Sequence, residues 1–207
     1  LSDTITKNNA IISAAAGPLF SLLSGLLIIY IARNWGQGFT RLFWTWLGFL
    51  SAQIGFGYFL VCLFAKAGDT GFVLSSINAS WLVYAAITAI GAVGTYFILP
   101  KMFSASTSRY VKNKKEFFQL GMYPWLIGTL TLVVIYTIIE SVVMHQYDLF
   151  SMIGTATIGI FVPLANYNAK VERKPLALRF NLSPLVLTTA LALLLIFGLS
   201  QGIAIGQ

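Results

Sequence analysis

Charge is the scarcest feature of this 207-residue chain. Only 9% of its residues are charged, whereas 57% are hydrophobic and the mean hydropathy is +0.82. A soluble domain carries about 25% charged residues, so this chain has too little charge to cover a surface that faces water. We therefore expect lipid to be the solvent for most of the protein.

Metal-ligating and nucleophilic side chains are almost absent as well. The sequence has one cysteine, Cys62, and one histidine, His145, so an intrachain disulfide is excluded. A catalytic zinc site typically takes three protein ligands, and this chain cannot build a histidine-rich site by itself. It also contains neither a G-x-x-x-x-G-K-[ST] phosphate loop nor a dinucleotide-binding fingerprint, which argues against those two enzyme classes.

Long apolar runs are what the chain has instead. A helix needs about 20 residues to cross a hydrocarbon core of about 30 Å. Six runs near this length occupy residues 10–31, 42–65, 81–99, 120–139, 150–164 and 182–199. They predict an all-α, polytopic membrane protein of about six transmembrane helices, forming a single helical domain over residues 1–207.

The basic residues predict how these spans are oriented. With six spans, 11 of the 13 Lys and Arg residues fall in three loops on one side, and only Lys7 and Lys66 fall on the other. The positive-inside rule then places the three loops in the cytoplasm and both termini on the non-cytoplasmic side. The loop from Lys101 to Phe118 serves as a topological anchor or as a surface for lipid headgroups or a partner. A nucleic-acid partner is not expected, because no recognisable binding module surrounds these cations.

Small residues recur every four positions in the first apolar run, at Ser13, Gly17, Ser21 and Gly25. On a helix they form one ridge without bulky side chains. In lipid, such a ridge lets a second backbone approach closely, and dispersion contacts then hold the pair. We therefore expect this small-residue ridge to be a helix-packing surface.

Asp69 is the most prominent polar residue near the spans. It lies in Gly68-Asp69-Thr70-Gly71, where the glycines allow a sharp turn of the backbone. Residue chemistry alone favours a turn or a helix cap for this carboxylate over a ligand role.

Several short motifs together resemble a branch of the site-2 protease family, which are intramembrane zinc metalloproteases. They are Asn8-Asn9-Ala10-Ile11-Ile12, then Ala15-Ala16-Gly17-Pro18, the aromatic second run, and Gly68-Asp69-Thr70-Gly71. In that family an H-E-x-x-H helix supplies two histidine ligands and the general-base glutamate, an A-G-P helix follows, and a later Asp is the third ligand. The resemblance covers about residues 1–100, and it implies that the A-G-P helix is residues 10–31 and that Asp69 is the third ligand.

No H-E-x-x-H occurs in the 207 residues. The resemblance therefore implies a metal-binding helix that would precede Leu1, and zinc would need ligands outside this chain. With that helix, the expected activity is zinc-dependent peptide hydrolysis within the membrane. Without it, the protein is a non-catalytic relative, and the ridge is either half of a catalytic core or a docking face for another helix.

A second function class follows from the lack of a convergent polar site. The protein would then be a non-catalytic structural or accessory subunit of a larger membrane complex, held to other membrane helices through small residues such as Gly91 and Gly94. A transporter is a third class, for which Pro163 followed by Asn166 and Asn168 would form a broken helix. In each case we expect a multi-pass protein of a bacterial cytoplasmic membrane.

Overall fold

Every regular element in the described part of the chain is helical. The computed structural model describes residues 2–34, 38–64, 68–138 and 159–167. The helices are α1 (Ser2–Asn34), α2 (Gly38–Val61), α3 (Gly68–Ser76), α4 (Trp81–Val93), α5 (Leu99–Thr107), α6 (Lys114–Ile138) and α7 (Phe161–Tyr167). A π-helical turn, Gly94–Ile98, joins α4 to α5, and a 3₁₀ turn, Ser108–Tyr110, follows α5. The all-α prediction is confirmed for these residues.

Three helical stretches of the described residues are long and apolar enough to cross a membrane. They are Thr6–Asn34, Trp81–Tyr110 and Lys114–Ile135, with mean hydropathies of 2.0, 1.9 and 1.5. Their length and composition indicate a membrane protein in contact with lipid.

The remaining predicted spans are not confirmed as spans by the described residues. The run at 42–65 corresponds to α2, which is not among the three candidate spans. The run at 182–199 and most of the run at 150–164 lie outside the described residues. Six spans and the orientation of the two termini therefore stay predictions.

The helical stretch Trp81–Tyr110 is longer than the sequence predicted. A polar loop was expected from Lys101 onward, yet the helix continues through α5. Leu99, Phe103 and Thr107 recur every four residues in α5, and each is at most 1% exposed. This buried stripe needs a helix to reach the core, so the loop prediction is wrong for the first basic residues.

An aromatic cluster forms the core where α2, α5 and α7 meet. Phe103 of α5 packs edge-on against Trp46 and Phe49 of α2, with ring centroids 4.8 and 5.2 Å apart. It also meets Phe161 of α7 at 5.2 Å. Edge-to-face pairs each add about 0.5–1.5 kcal/mol beyond the area they bury, so this cluster fixes α5 and α7 against α2.

Candidate functional site

Helices α1 and α2 approach each other through glycine. A Cβ atom added to Gly25 would lie 2.7 Å from the carbonyl oxygen of Gly48 and 2.8 Å from Cα of Ala52. On the facing helix, a Cβ added to Gly55 would lie 2.6 Å from Cβ of Leu22. Real Cβ atoms essentially never come within 3.0 Å of other heavy atoms, so the two backbones can be this close only because both helices carry glycine here.

The small-residue ridge is divided between an inner and an outer half. In the inner half, the Ser51 hydroxyl of α2 donates a 2.9 Å hydrogen bond to the carbonyl oxygen of Ser21, and Ser24 Oγ lies 3.4 Å from Ser51 Oγ. In the outer half, Ser13 and Gly17 are exposed. The inner half therefore packs on α2 of the same chain, and the outer half is exposed beside the start of α3.

Asp69 lies against the A-G-P segment of α1. Gly68 begins α3 with a φ of +80°, a conformation that L side chains rarely adopt, and Asp69 follows in the first turn. A Cβ added to Gly17 would lie 3.4 Å from Asp69 Oδ2. The structure thus brings together two of the motifs that carry the resemblance, the A-G-P segment and Gly68-Asp69-Thr70-Gly71. The first turn of a helix also favours a negative charge, which agrees with the expected turn or cap position of Asp69.

An apolar cavity of about 210 Å³ lies between α1 and the residues that follow Asp69 in α3. Helices α1, α2, α3 and α4 all contribute to its walls, which include Pro18 of the A-G-P segment and Thr70, the neighbour of Asp69. The other described lining residues are Ala15, Leu19, Phe59, Val73, Leu74, Ile87 and Ile90. Such walls can accept an apolar side chain close to Asp69.

Among the described residues, no three His, Cys, Asp or Glu side chains are grouped closely enough to hold a metal ion. The buried Cys62 thiol lies 3.4 Å from Thr88 Oγ1 and 3.9 Å from the carbonyl oxygen of Tyr84, which are the contacts of a core thiol. His145 lies outside the described residues. Asp69 is therefore not part of a group of three potential ligands in the described part of the chain.

A second cavity, of about 260 Å³, brings Arg33, Arg41 and Arg109 together. This cavity is far from Asp69, since Arg33 lies 16 residues beyond Gly17, or about 24 Å further along α1. The sequence analysis places Arg33 and Arg41 in one basic loop and Arg109 in the next, as topological anchors. The sequence pattern does not show that these two loops meet at one cavity.

No protein-family model, no curated protein and no solved structure matches this chain.

Proposed function

We propose that this chain is a site-2 protease-like integral membrane protein in which Asp69 is a metal ligand. The observation that carries the proposal is the position of Asp69 Oδ2 beside Gly17, because it joins the A-G-P segment to the residue that the resemblance implies is the third ligand. The adjoining apolar cavity gives further support, since an intramembrane protease must accept apolar side chains close to its metal.

The residues present do not fit a complete zinc site. A catalytic site typically takes three protein ligands and a water, and in the described part of the chain no three His, Cys, Asp or Glu side chains are grouped to supply them. The two histidines and the general-base glutamate of the family lie in an H-E-x-x-H motif, which the 207 residues do not contain. Peptide hydrolysis therefore belongs to the proposal only if such a motif precedes Leu1, and no step of it follows from the residues in hand.

Zinc content of the purified full-length protein tests the proposal. We expect about one zinc per chain in the wild type and a large loss in Asp69→Ala, since the loss of one of three ligands weakens binding strongly. Glu116→Gln is the matched control. The Glu116 carboxylate accepts hydrogen bonds from the Lys112 backbone N–H and the Asn113 side-chain amide at the start of α6, and the one carbonyl oxygen of glutamine can keep the bond from Lys112.

Two results would contradict the metal-ligand role. One is the same zinc content in Asp69→Ala and the wild type, and the other is no zinc in either protein. Far-UV circular dichroism of each variant separates loss of metal from loss of fold.

One observation favours a second function, that of a non-catalytic subunit of a larger membrane complex. Ser13 and Gly17 of the outer half of the ridge are exposed, as is the neighbouring Ala16, and small residues in lipid are where another helix packs closely. We expect a partner subunit to co-purify in mild detergent and to be lost in Ser13→Leu, as judged by native mass spectrometry. A wild-type protein that is a stable monomer without partners would count against this function.

A further inference from the structure

The 260 Å³ cavity is built from the ends of three helical elements. Arg33 lies in the last turn of α1, Arg41 in the first turn of α2, and Arg109 in the 3₁₀ turn after α5. The cavity also has Thr45 and Tyr110 in its walls, both of which are buried. Packing of α1, α2 and α5 therefore brings three arginine residues around one space.

The positive charge of this cavity is not balanced by its described walls, none of which is acidic. The Arg41 guanidinium lies near the Tyr110 hydroxyl. Arg41 Nε and Tyr110 Oη are both closed off from solvent. Three arginines around one cavity, with no acidic residue among its described walls, favour an anion that enters the cavity from outside.

Phosphate is the acceptor chemistry that fits these donors. Arginine presents a planar fork of N–H groups that matches two phosphate oxygens, and a hydroxyl donor complements it. We propose that the cavity of Arg33, Arg41 and Arg109 binds a phosphate-bearing anion, either the headgroup of an anionic phospholipid or free phosphate. This proposal does not depend on Asp69 or on a metal.

The size and place of the cavity agree with a headgroup. Its volume of about 260 Å³ is just below the ~300 Å³ at which pockets for whole small molecules begin, so a phosphate with a short polar substituent is the right scale. The three arginines also belong to the side of the protein that the positive-inside rule puts in the cytoplasm. Anionic lipids give that leaflet its negative surface potential, which attracts basic groups.

Native mass spectrometry of the full chain in mild detergent tests the proposal, with phosphatidylglycerol as the probe and phosphatidylcholine as the neutral-headgroup comparison. We expect one phosphatidylglycerol to bind per chain in preference to phosphatidylcholine. Arg41→Gln should weaken its binding by about 10- to 100-fold, the effect of losing a charge-assisted hydrogen bond. Lys101→Gln is the matched control, because Lys101 is an exposed cation of α5 that is not among the described cavity residues.

Further variants keep the test decisive. If Arg41→Gln does not fold, the double variant Arg33→Gln/Arg109→Gln should show the same loss, and Arg41→Lys should recover part of the binding because the charge remains without the fork. Added inorganic phosphate identifies the source: displacement of the lipid shows that free phosphate also binds, and no displacement shows that the headgroup needs its lipid. The proposal is overturned if the arginine variants bind phosphatidylglycerol as the wild type does, or if both lipids bind equally.

Discussion

Replacing Gly25 with alanine tests the close approach of α1 and α2. The added methyl group would lie 2.7 Å from the Gly48 carbonyl oxygen and 2.8 Å from Ala52 Cα, and ordinary contact begins near 3.4 Å. Both opposing atoms belong to the backbone, so no side chain can rotate away. The helices must instead separate by about half an ångström or more along this contact.

Two opposing terms set the magnitude. Overpacking a close-packed contact costs about 1–3 kcal/mol, and the backbone position of the clash favours the upper part of that range. Alanine also gains about 0.5–1 kcal/mol over glycine within a helix. We therefore expect Gly25→Ala to lower the free energy of unfolding by about 1–2 kcal/mol.

The assay is unfolding by sodium dodecyl sulfate in mixed micelles, followed by far-UV circular dichroism. Gly57→Ala in α2 and Gly128→Ala in α6 are matched controls, since a Cβ added at either position meets nothing within 4 Å. Both controls should gain up to about 1 kcal/mol from helix propensity alone. The reasoning is refuted if Gly25→Ala is as stable as these two controls, because α1 and α2 would then not be in backbone contact.

Three other substitutions follow from hydrogen bonds of the described residues. Ser51→Ala removes the bond to the Ser21 carbonyl and should lower stability in the same titration by about 0.5–1.5 kcal/mol; an unchanged midpoint would contradict it. Gln53→Met should leave stability unchanged or raise it by about 1 kcal/mol, because the buried Gln53 Oε1 has no partner among the described residues, and a loss above about 1 kcal/mol would contradict this. Asn113→Ala removes the cap on the Glu116 amide and should cost about 1 kcal/mol, seen as faster hydrogen exchange in the first turn of α6, whereas unchanged exchange would exclude a capping role.

Composition and apolar run length predicted the helices well where the signal is local. The first run, at 10–31, lies within α1, which extends beyond both predicted ends by several residues. The fourth run, at 120–139, corresponds to α6, which begins several residues before the predicted start. Such ends depend on capping and on contacts with other elements, which apolar run length does not contain.

Two helical segments in the middle of the chain were missed. The expected turn or cap position of Asp69 agrees with its place in the first turn of α3, but the nine-residue helix itself was not predicted. The sequence also predicted a loop after residue 99, where the stripe of Leu99, Phe103 and Thr107 continues the helix. The lysine of α5, Lys101, was assigned to a basic loop, whereas the four-residue spacing of the buried residues is typical of a helix.

Composition and the length of the apolar runs are enough to predict the solvent and the helices of this protein. Its low charge requires lipid, its apolar runs form helices, and its one histidine and one cysteine cannot make a histidine-rich metal site. Each of these properties depends on composition or on residues a few positions apart.

The contacts between residues that are far apart in the chain depend on how the helices pack. The tertiary structure packs the inner half of the ridge, Ser21 and Gly25, on α2, sets Asp69 beside Gly17, and gathers arginines from three helical elements around one cavity. These pairings join residues that are far apart in the chain, and the same small or charged residue could face lipid, water or another helix. Helix-packing geometry selects among those surroundings, and a single sequence pattern does not contain it.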